Sequence, residues 1–299
     1  MADATTSWTL RSGPYEAAVD AVGATLRRLA HAGHDLVVPF PEGTVRPMYR
    51  GAIVAPWPNR VVAGRYRFEG DDFQLALTEP ERGHALHGLV NWVRWQGVEA
   101  GEDRLLLRHH LVPQAGYPFA LALEVEYTLT GAGLTTRLTA HNTGTRNAPY
   151  GCCPHPYLVA GPGRVDDWLL TLPADRVLET TELLVPTGLR PAAELGFDFD
   201  RRRIGELGID HAFTGLHRDR DGGATVRVEA ADTGVELSWG AWAPWVQVHT
   251  ADRPEPENDR VGLAVEPMSC PPDAFNSGTD LVVLAPGQAH EAGWTIRGW

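Results

Sequence analysis

The sequence predicts an all-β protein, a sandwich or barrel of short antiparallel strands. Three observations carry this expectation. Apolar and polar residues alternate at a period of two along many short runs. Gly, Pro, Asn and Asp cluster between those runs. No long stretch keeps the 3.6-residue period of an amphipathic helix.

The runs follow one another along the chain. Residues 65–68 and 73–76 form the first pair, and 105–111 the next run. The clearest lies at 121–129. There Leu121, Leu123, Val125, Tyr127 and Leu129 share one face, while Ala122, Glu124, Glu126 and Thr128 share the other, as in a half-buried antiparallel strand. Gly131, Ala132 and Gly133 then turn the chain into a second alternating run, 134–140, so the two make a hairpin. Further runs lie at 168–172, 225–230, 235–239, 245–250, 263–265, 281–284 and 294–297. Only 192–195 and 271–275 suggest short helical turns. The stretch from Pro186 to Asp210 carries no clear pattern, and a connection that long reads as the wall or rim of a binding site.

Composition narrows the function. The chain has 299 residues, 43% hydrophobic and 21% charged, the balance of a folded globular protein. No break divides it, so a single domain over residues 1–299 is expected. The 32 glycines and 23 prolines are scattered as turn punctuation without a repeat, which excludes collagen-like order. A formal net charge of −12 repels phosphate backbones, so nucleic acid is not an expected partner. Three cysteines, Cys152, Cys153 and Cys270, are too few and too unevenly spaced for a disulfide framework and read as reduced, packed thiols. The N-terminus has no basic segment leading into an apolar run, and no stretch is long and apolar enough to span a bilayer. A cytoplasmic protein without membrane partners is the expectation.

Five polar islands interrupt the strands: Pro56 to Arg60, His84 to Gly88, Pro154 to Tyr157, Gly208 to His211, and Ala264 to Met268. Each sets Arg, His, Asp or Glu beside Gly, Pro or an aromatic residue. Loops on a rigid β scaffold commonly carry binding groups. Ten tryptophans add aromatic faces suited to the C–H faces of sugar rings. Together these features suggest a carbohydrate cleft. His31 with His34 and His84 with His87 have an H-x-x-H spacing, but residues three apart on a strand face opposite sides, so no metal is expected. No G-x-S-x-G nucleophile elbow is present.

The order of the islands resembles the aldose 1-epimerase (galactose mutarotase) family. The matching residues are Asn59–Arg60 with Gly64–Arg65–Tyr66, Leu86–His87–Gly88, Gly116–Tyr117–Pro118, and Pro154–His155–Pro156–Tyr157–Leu158. The series continues with Ile209 to Phe213, Val246 to Thr250, Val265–Glu266–Pro267 and Pro272 to Asn276. The resemblance runs from about Gly23 to the C-terminus. It implies a large antiparallel β-sandwich, the galactose mutarotase-like supersandwich, with a sugar cleft across one sheet. It also implies a cofactor-free mutarotase acting on a free monosaccharide as a monomer or homodimer.

Carried over residue by residue, it makes Glu266 the general base and His155 the general acid. Arg60, His87, Asp210 and Gln247 would hold the sugar, with Asn59 in support. Glu266 is then expected ionised and His155 protonated. Galactose-acting members usually follow the acid histidine with Ser-Tyr-Phe-Asn, where this chain has Pro156, Tyr157 and Leu158. Pro56–Trp57–Pro58 is a second departure. Both changes resemble a bacterial branch similar to sulfoquinovose mutarotases. Trp57 could stack on a sugar or pack in the core. The alternatives are a non-catalytic carbohydrate-binding or regulatory protein of the same fold, and a glycoside-processing enzyme pairing Glu266 with Asp210.

Overall fold

The strand Leu121–Thr130 forms as its alternation dictates. Its five apolar side chains are buried and the intervening ones half-exposed. It pairs in full register with Gly133–Asn142, and the turn falls at Thr130 and Gly133. In the computed structural model, which describes residues 6–299, this hairpin sits in a nine-stranded antiparallel sheet. The first five residues, part of the N-terminal segment and of the expected domain, lie outside the described residues.

The second large sheet has six strands. Its order is Tyr157–Leu158, Leu263–Met268, Trp245–His249, Asp210–Leu216, Ala174–Thr180 and Pro186–Pro191, with each neighbouring pair antiparallel. One continuous apolar cluster joins the two sheets: Leu123, Val125, Leu138 and Ile296 from the first, and Val177, Phe213, Val246, Val248 and Val265 from the second. Each such fully buried aliphatic side chain stabilises the fold by roughly 1.5–3 kcal/mol. A four-stranded meander from Ser7–Ser12 to His34–Asp35 precedes both sheets.

The expected runs are present with shifted ends. The partner of Arg65–Phe68 is Asp71–Gln74 rather than 73–76, and the run at 263–265 extends to Met268. The two suggested turns are the 3-10 helix Ala192–Leu195 and the short α-helix Ala274–Ser277. No helix among the described residues is long and apolar enough to cross a membrane.

Of the 186–210 stretch only the last residue, Asp210, lines the main cavity; the rest is not its wall. Pro186–Pro191 is the edge strand of the six-stranded sheet, and Arg202–Arg203 pairs with Leu169–Leu170 of the other sheet. The segment therefore crosses between the two layers. Its edge strand is mostly exposed, with a proline at each end, so it shows neither alternation nor an apolar run.

Candidate active site

Alternation also builds the site. On Trp245–His249, Val246 and Val248 point into the core, so Gln247 and His249 must point out. On the neighbouring strand Val265 points in and Glu266 out, and Gln247 and Glu266 are register partners. Asp210 lies across from His249 on the other side. One face of three adjacent strands thus presents a carboxyl, an amide and a carboxylate. The Gln247 amide nitrogen donates to Asp210 Oδ1 at 2.7 Å.

Loops supply the opposite wall. The two-residue ladder Arg60–Val61 with Ala85–Leu86 ends at His87, whose backbone N–H donates to the Asn59 carbonyl at 2.8 Å. Asn59 and His87 both have positive φ, 52° and 59°. Gly88 follows at 71°, where an added Cβ would lie 2.1 Å from the Ala55 carbonyl oxygen. Only glycine fits there. His155 is pinned by backbone hydrogen bonds to both Gly51 and Ala52. Its ring stacks on Tyr157, with centroids 5.4 Å apart, and meets His87 edge-on at 4.9 Å.

These elements enclose a cavity of about 860 Å³. All seven expected residues line it: Asn59, Arg60, His87, His155, Asp210, Gln247 and Glu266. His155 Nε2 lies 3.3 Å from Glu266 Oε1, with both side chains almost fully buried.

The charge states burial favours are not those expected from the sequence. Burial, reinforced by Asp210, pushes the Glu266 carboxyl well above its ordinary value. Burial, with nearby cationic groups including Arg46 and Arg253, drives His155 down to about 3. His87 is also held neutral by burial, and then by His155 and Arg60. Burial thus disfavours charge on both members of the pair, and it favours a proton on Glu266 over one on His155.

Arg60 is less free than its type suggested. Its Nε and Nη2 donate to the two Glu79 oxygens at 2.7 and 2.9 Å, and Nη1 donates to Asn59 Oδ1 at 3.1 Å. Of five guanidinium N–H groups three are committed, which fixes the plane and leaves two for a ligand. Burial alone would raise the Glu79 carboxyl, but Arg60 and Arg82 hold it below the ordinary value. Trp57 belongs to the core. It is buried, its indole N–H donates to the Ala85 carbonyl, and it packs edge-on against Phe275.

Neither H-x-x-H pair belongs to a cluster of three or more ligand groups among the described residues. His31 and His34 are register partners across a tight hairpin, while His84 accepts from the Ala63 N–H and contacts the Leu183 carbonyl. A different trio does converge: one donor atom each from His87, His155 and Glu266 lie within 4.8 Å of one another. Metal-binding imidazoles usually donate their second N–H to a carboxylate or carbonyl. Here Nδ1 of His87 and of His155 is buried without a hydrogen-bond partner among the described residues. That is a poor second shell for an ion.

Several cavity residues escaped the sequence reading: Tyr49, Glu79, His249 and Arg253. Tyr49 packs edge-on against His87 at 4.7 Å. Like its neighbour Met48, it has positive φ. No motif marks Tyr49, Glu79 or Arg253, while His249 lies within the 246–250 motif without a role assigned to it. Tyr49 and Glu79 become visible only when the 46–50 and 78–82 segments fold over His87 and Arg60.

The sequence profile of the family described as Aldose 1-epimerase matches residues 6–297. The chain belongs to this family. It is 37% identical to the uncharacterised protein YihR of Escherichia coli K12, over 97% of this chain and 92% of that one. It is 30% identical to the galactose mutarotase of Rattus norvegicus over 68% of this chain and 63% of that one. Among solved structures, a putative aldose 1-epimerase of Escherichia coli K12 superposes with a TM-score of 0.84 at 22% identity, covering 98% and 99% of the two chains. The galactose 1-epimerase of Lactobacillus acidophilus gives 0.83 at 19%, covering 97% and 93%. The family match begins at residue 6, so the N-terminal meander is part of the shared fold.

Proposed function

We propose that this family member is a mutarotase, opening and reclosing the ring of a free aldose to exchange its α and β anomers. The observation that carries the reading is the His155–Glu266 contact of 3.3 Å in a cavity that also presents Asn59, Arg60, Asp210 and Gln247, groups able to bind hydroxyls. Ring opening removes the proton of the anomeric O–H and delivers one to the ring oxygen. After rotation about C1–C2 the transfers reverse, so a site holding one mobile proton is returned unchanged.

Glu266 in its carboxylate form accepts the anomeric proton, and His155 in its imidazolium form supplies the ring oxygen. Sugar hydroxyls donating to Glu266 favour its charged form and so move the pair's proton toward His155. Each positioned transfer is worth roughly 10²–10⁴-fold. The Gln247 carbonyl oxygen and Nδ1 of His87 are buried without hydrogen-bond partners among the described residues, a cost carried next to the cavity. Arg60 and Asp210, each pre-oriented by a neighbour, bind further hydroxyls.

The test is anomer exchange at equilibrium by NMR, with the wild type and Glu266→Gln. The panel is glucose, galactose, a 6-deoxy sugar, a uronic acid and a 6-sulfonated glucose. The charged sugars are included because Arg253 also lines the cavity. Acceleration by the wild type alone supports the proposal, and the fastest sugar identifies the substrate. Binding without acceleration of any sugar refutes it in favour of a sugar-binding role.

A further inference from the structure

The mechanism uses one oxygen of Glu266, Oε1, which faces His155. The other, Oε2, lies 3.8 Å from Cys153 Sγ, a distance suited to an S–H···O contact. The carboxyl is thus held at both oxygens, by an imidazole on one side and a thiol on the other. Cys153 is fully buried, and its placement is not incidental. Its backbone pairs with Val54 in the short ladder between Cys153–Pro154 and Ile53–Val54, two residues before His155. Its side chain packs in a small apolar cluster with Val54, Leu178, Ala212, Trp245 and Met268. Glu266 gives the thiol a hydrogen-bond acceptor at the edge of that cluster.

We infer that Cys153 is a positioning residue for Glu266: its S–H donates to Oε2, fixes the rotation of the carboxyl, and presents Oε1 to His155 and the cavity. Burial, with Glu266 next in effect, pushes the thiol well above its ordinary value, so it stays protonated and remains a donor. A donor to Oε2 favours the carboxylate and opposes the burial that raises Glu266. Sulfur also suits the gap. A serine hydroxyl would have to approach to about 2.7 Å for a normal hydrogen bond, more than 1 Å closer than the sulfur lies. Serine therefore keeps a donor but cannot reproduce the grip without movement of the strand or of Glu266.

This inference rests on the proposed mutarotase reading, and the test separates the two. Anomer exchange is measured across pH for the wild type, Cys153→Ala and Cys153→Ser. A weak S–H···O bond is worth under about 1 kcal/mol, so its loss in Cys153→Ala should raise the apparent pKa of the limb set by Glu266 by roughly half a unit. Maximal rate should fall roughly three- to tenfold with KM within about twofold, because the contact acts on proton transfer rather than on sugar binding. Cys153→Ser should lie between the two. Superimposable pH profiles for the wild type and Cys153→Ala overturn the inference, whatever the rate does, since a purely structural role would change the rate alone.

A second arm needs no turnover and no alanine variant. The infrared carboxyl band of protonated Glu266, assigned by its loss in Glu266→Gln, is compared between the wild type and Cys153→Ser. A shifted band supports the contact, and an unchanged band overturns it. If the wild type accelerates no sugar, the mutarotase reading fails while this arm still reports on Cys153.

Discussion

Replacing Glu266 by glutamine should abolish anomer exchange and yet stabilise the protein, increasingly so as pH rises. The side chain is 2% exposed, and its folded-state pKa is raised well above the ordinary 4.5, first by burial and then by Asp210. A group whose pKa is raised on folding contributes its full stability below the unfolded value and loses it as pH rises through the folded value. Between the two, wild-type stability falls by about 1.4 kcal/mol per pH unit relative to a neutral amide of the same shape.

Above about pH 4.5 the gap should therefore open and keep growing until the folded pKa is reached. Well above pH 6.5 His155 and His87 are neutral in both the folded and the unfolded chain, so there the difference reports on residue 266 alone. The assay is urea unfolding at a series of pH values from about 5 to 8, comparing midpoints at equal m-values. A gap that is flat with pH would refute the reasoning. A variant less stable than the wild type throughout would place the proton on His155 and make the pair an ion pair even without ligand. The accompanying rate loss should be at least roughly 10²-fold.

Other substitutions probe the supports of the site. Glu79→Gln removes the charge that orients Arg60, a pair in which both side chains are at most 10% exposed. It should cost roughly 3 kcal/mol of stability and raise KM for the sugar, read by urea denaturation and by exchange rate against sugar concentration. His87→Asn should weaken sugar saturation more than it slows maximal exchange, because His87 faces the cavity beside the acid–base pair; a slower maximal rate at unchanged saturation would reverse those roles. Gly88→Ala places a Cβ 2.1 Å from the Ala55 carbonyl oxygen in a left-handed conformation, so it should cost at least roughly 2 kcal/mol and displace His87. Its signature is a lower unfolding midpoint together with lost sugar binding.

Acid should destabilise the wild type by a distinct route. His155 is depressed to about 3, and His87 lies well below 6.5. The unfolded chain takes up protons on both below about pH 6.5, while the folded protein takes up neither until its own lower values are reached. Stability is therefore lost as pH falls through that window, by about 1.4 kcal/mol per unit for each histidine. Burial lowers His109, His211 and His290 as well, so His87→Asn should remove one of several contributions and flatten the slope in part, measured as Tm against pH. An unchanged slope would show that His87 already ionises in the folded protein.

The strands were legible where their chemistry is local. Leu121–Thr130 alternates because one face is core and the other is half-exposed, and that pattern is written in consecutive residues. The N-terminal strand Tyr15–Asp20 was not seen: it is almost continuously buried and reads as a short apolar run without a period. Pro186–Pro191 failed for the opposite reason, being an exposed edge. The seven residues expected from the order of the motifs all line one cavity, and alternation on Trp245–His249 explains why Gln247 faces it. Tyr49, Glu79 and the role of Cys153 depend on contacts between segments distant in the chain. Cys153 and Glu266 are 113 positions apart, so no local pattern could announce the contact.

The charge state of the pair links these observations to reversible chemistry. In the proposed reaction one proton leaves the anomeric hydroxyl, one reaches the ring oxygen, and both transfers reverse on reclosure. His155 and Glu266 can hold one proton between them over a 3.3 Å contact in a site where burial makes either charge costly. The two distributions, carboxyl with neutral imidazole and carboxylate with imidazolium, differ only in where that proton lies. Burial and Asp210 favour the first. The Cys153 thiol, Arg60 and the hydroxyls of a bound sugar favour the second. The balance is poised by groups that act on Glu266 from three sides. Removing any one of them should shift the pH profile before it disturbs the fold.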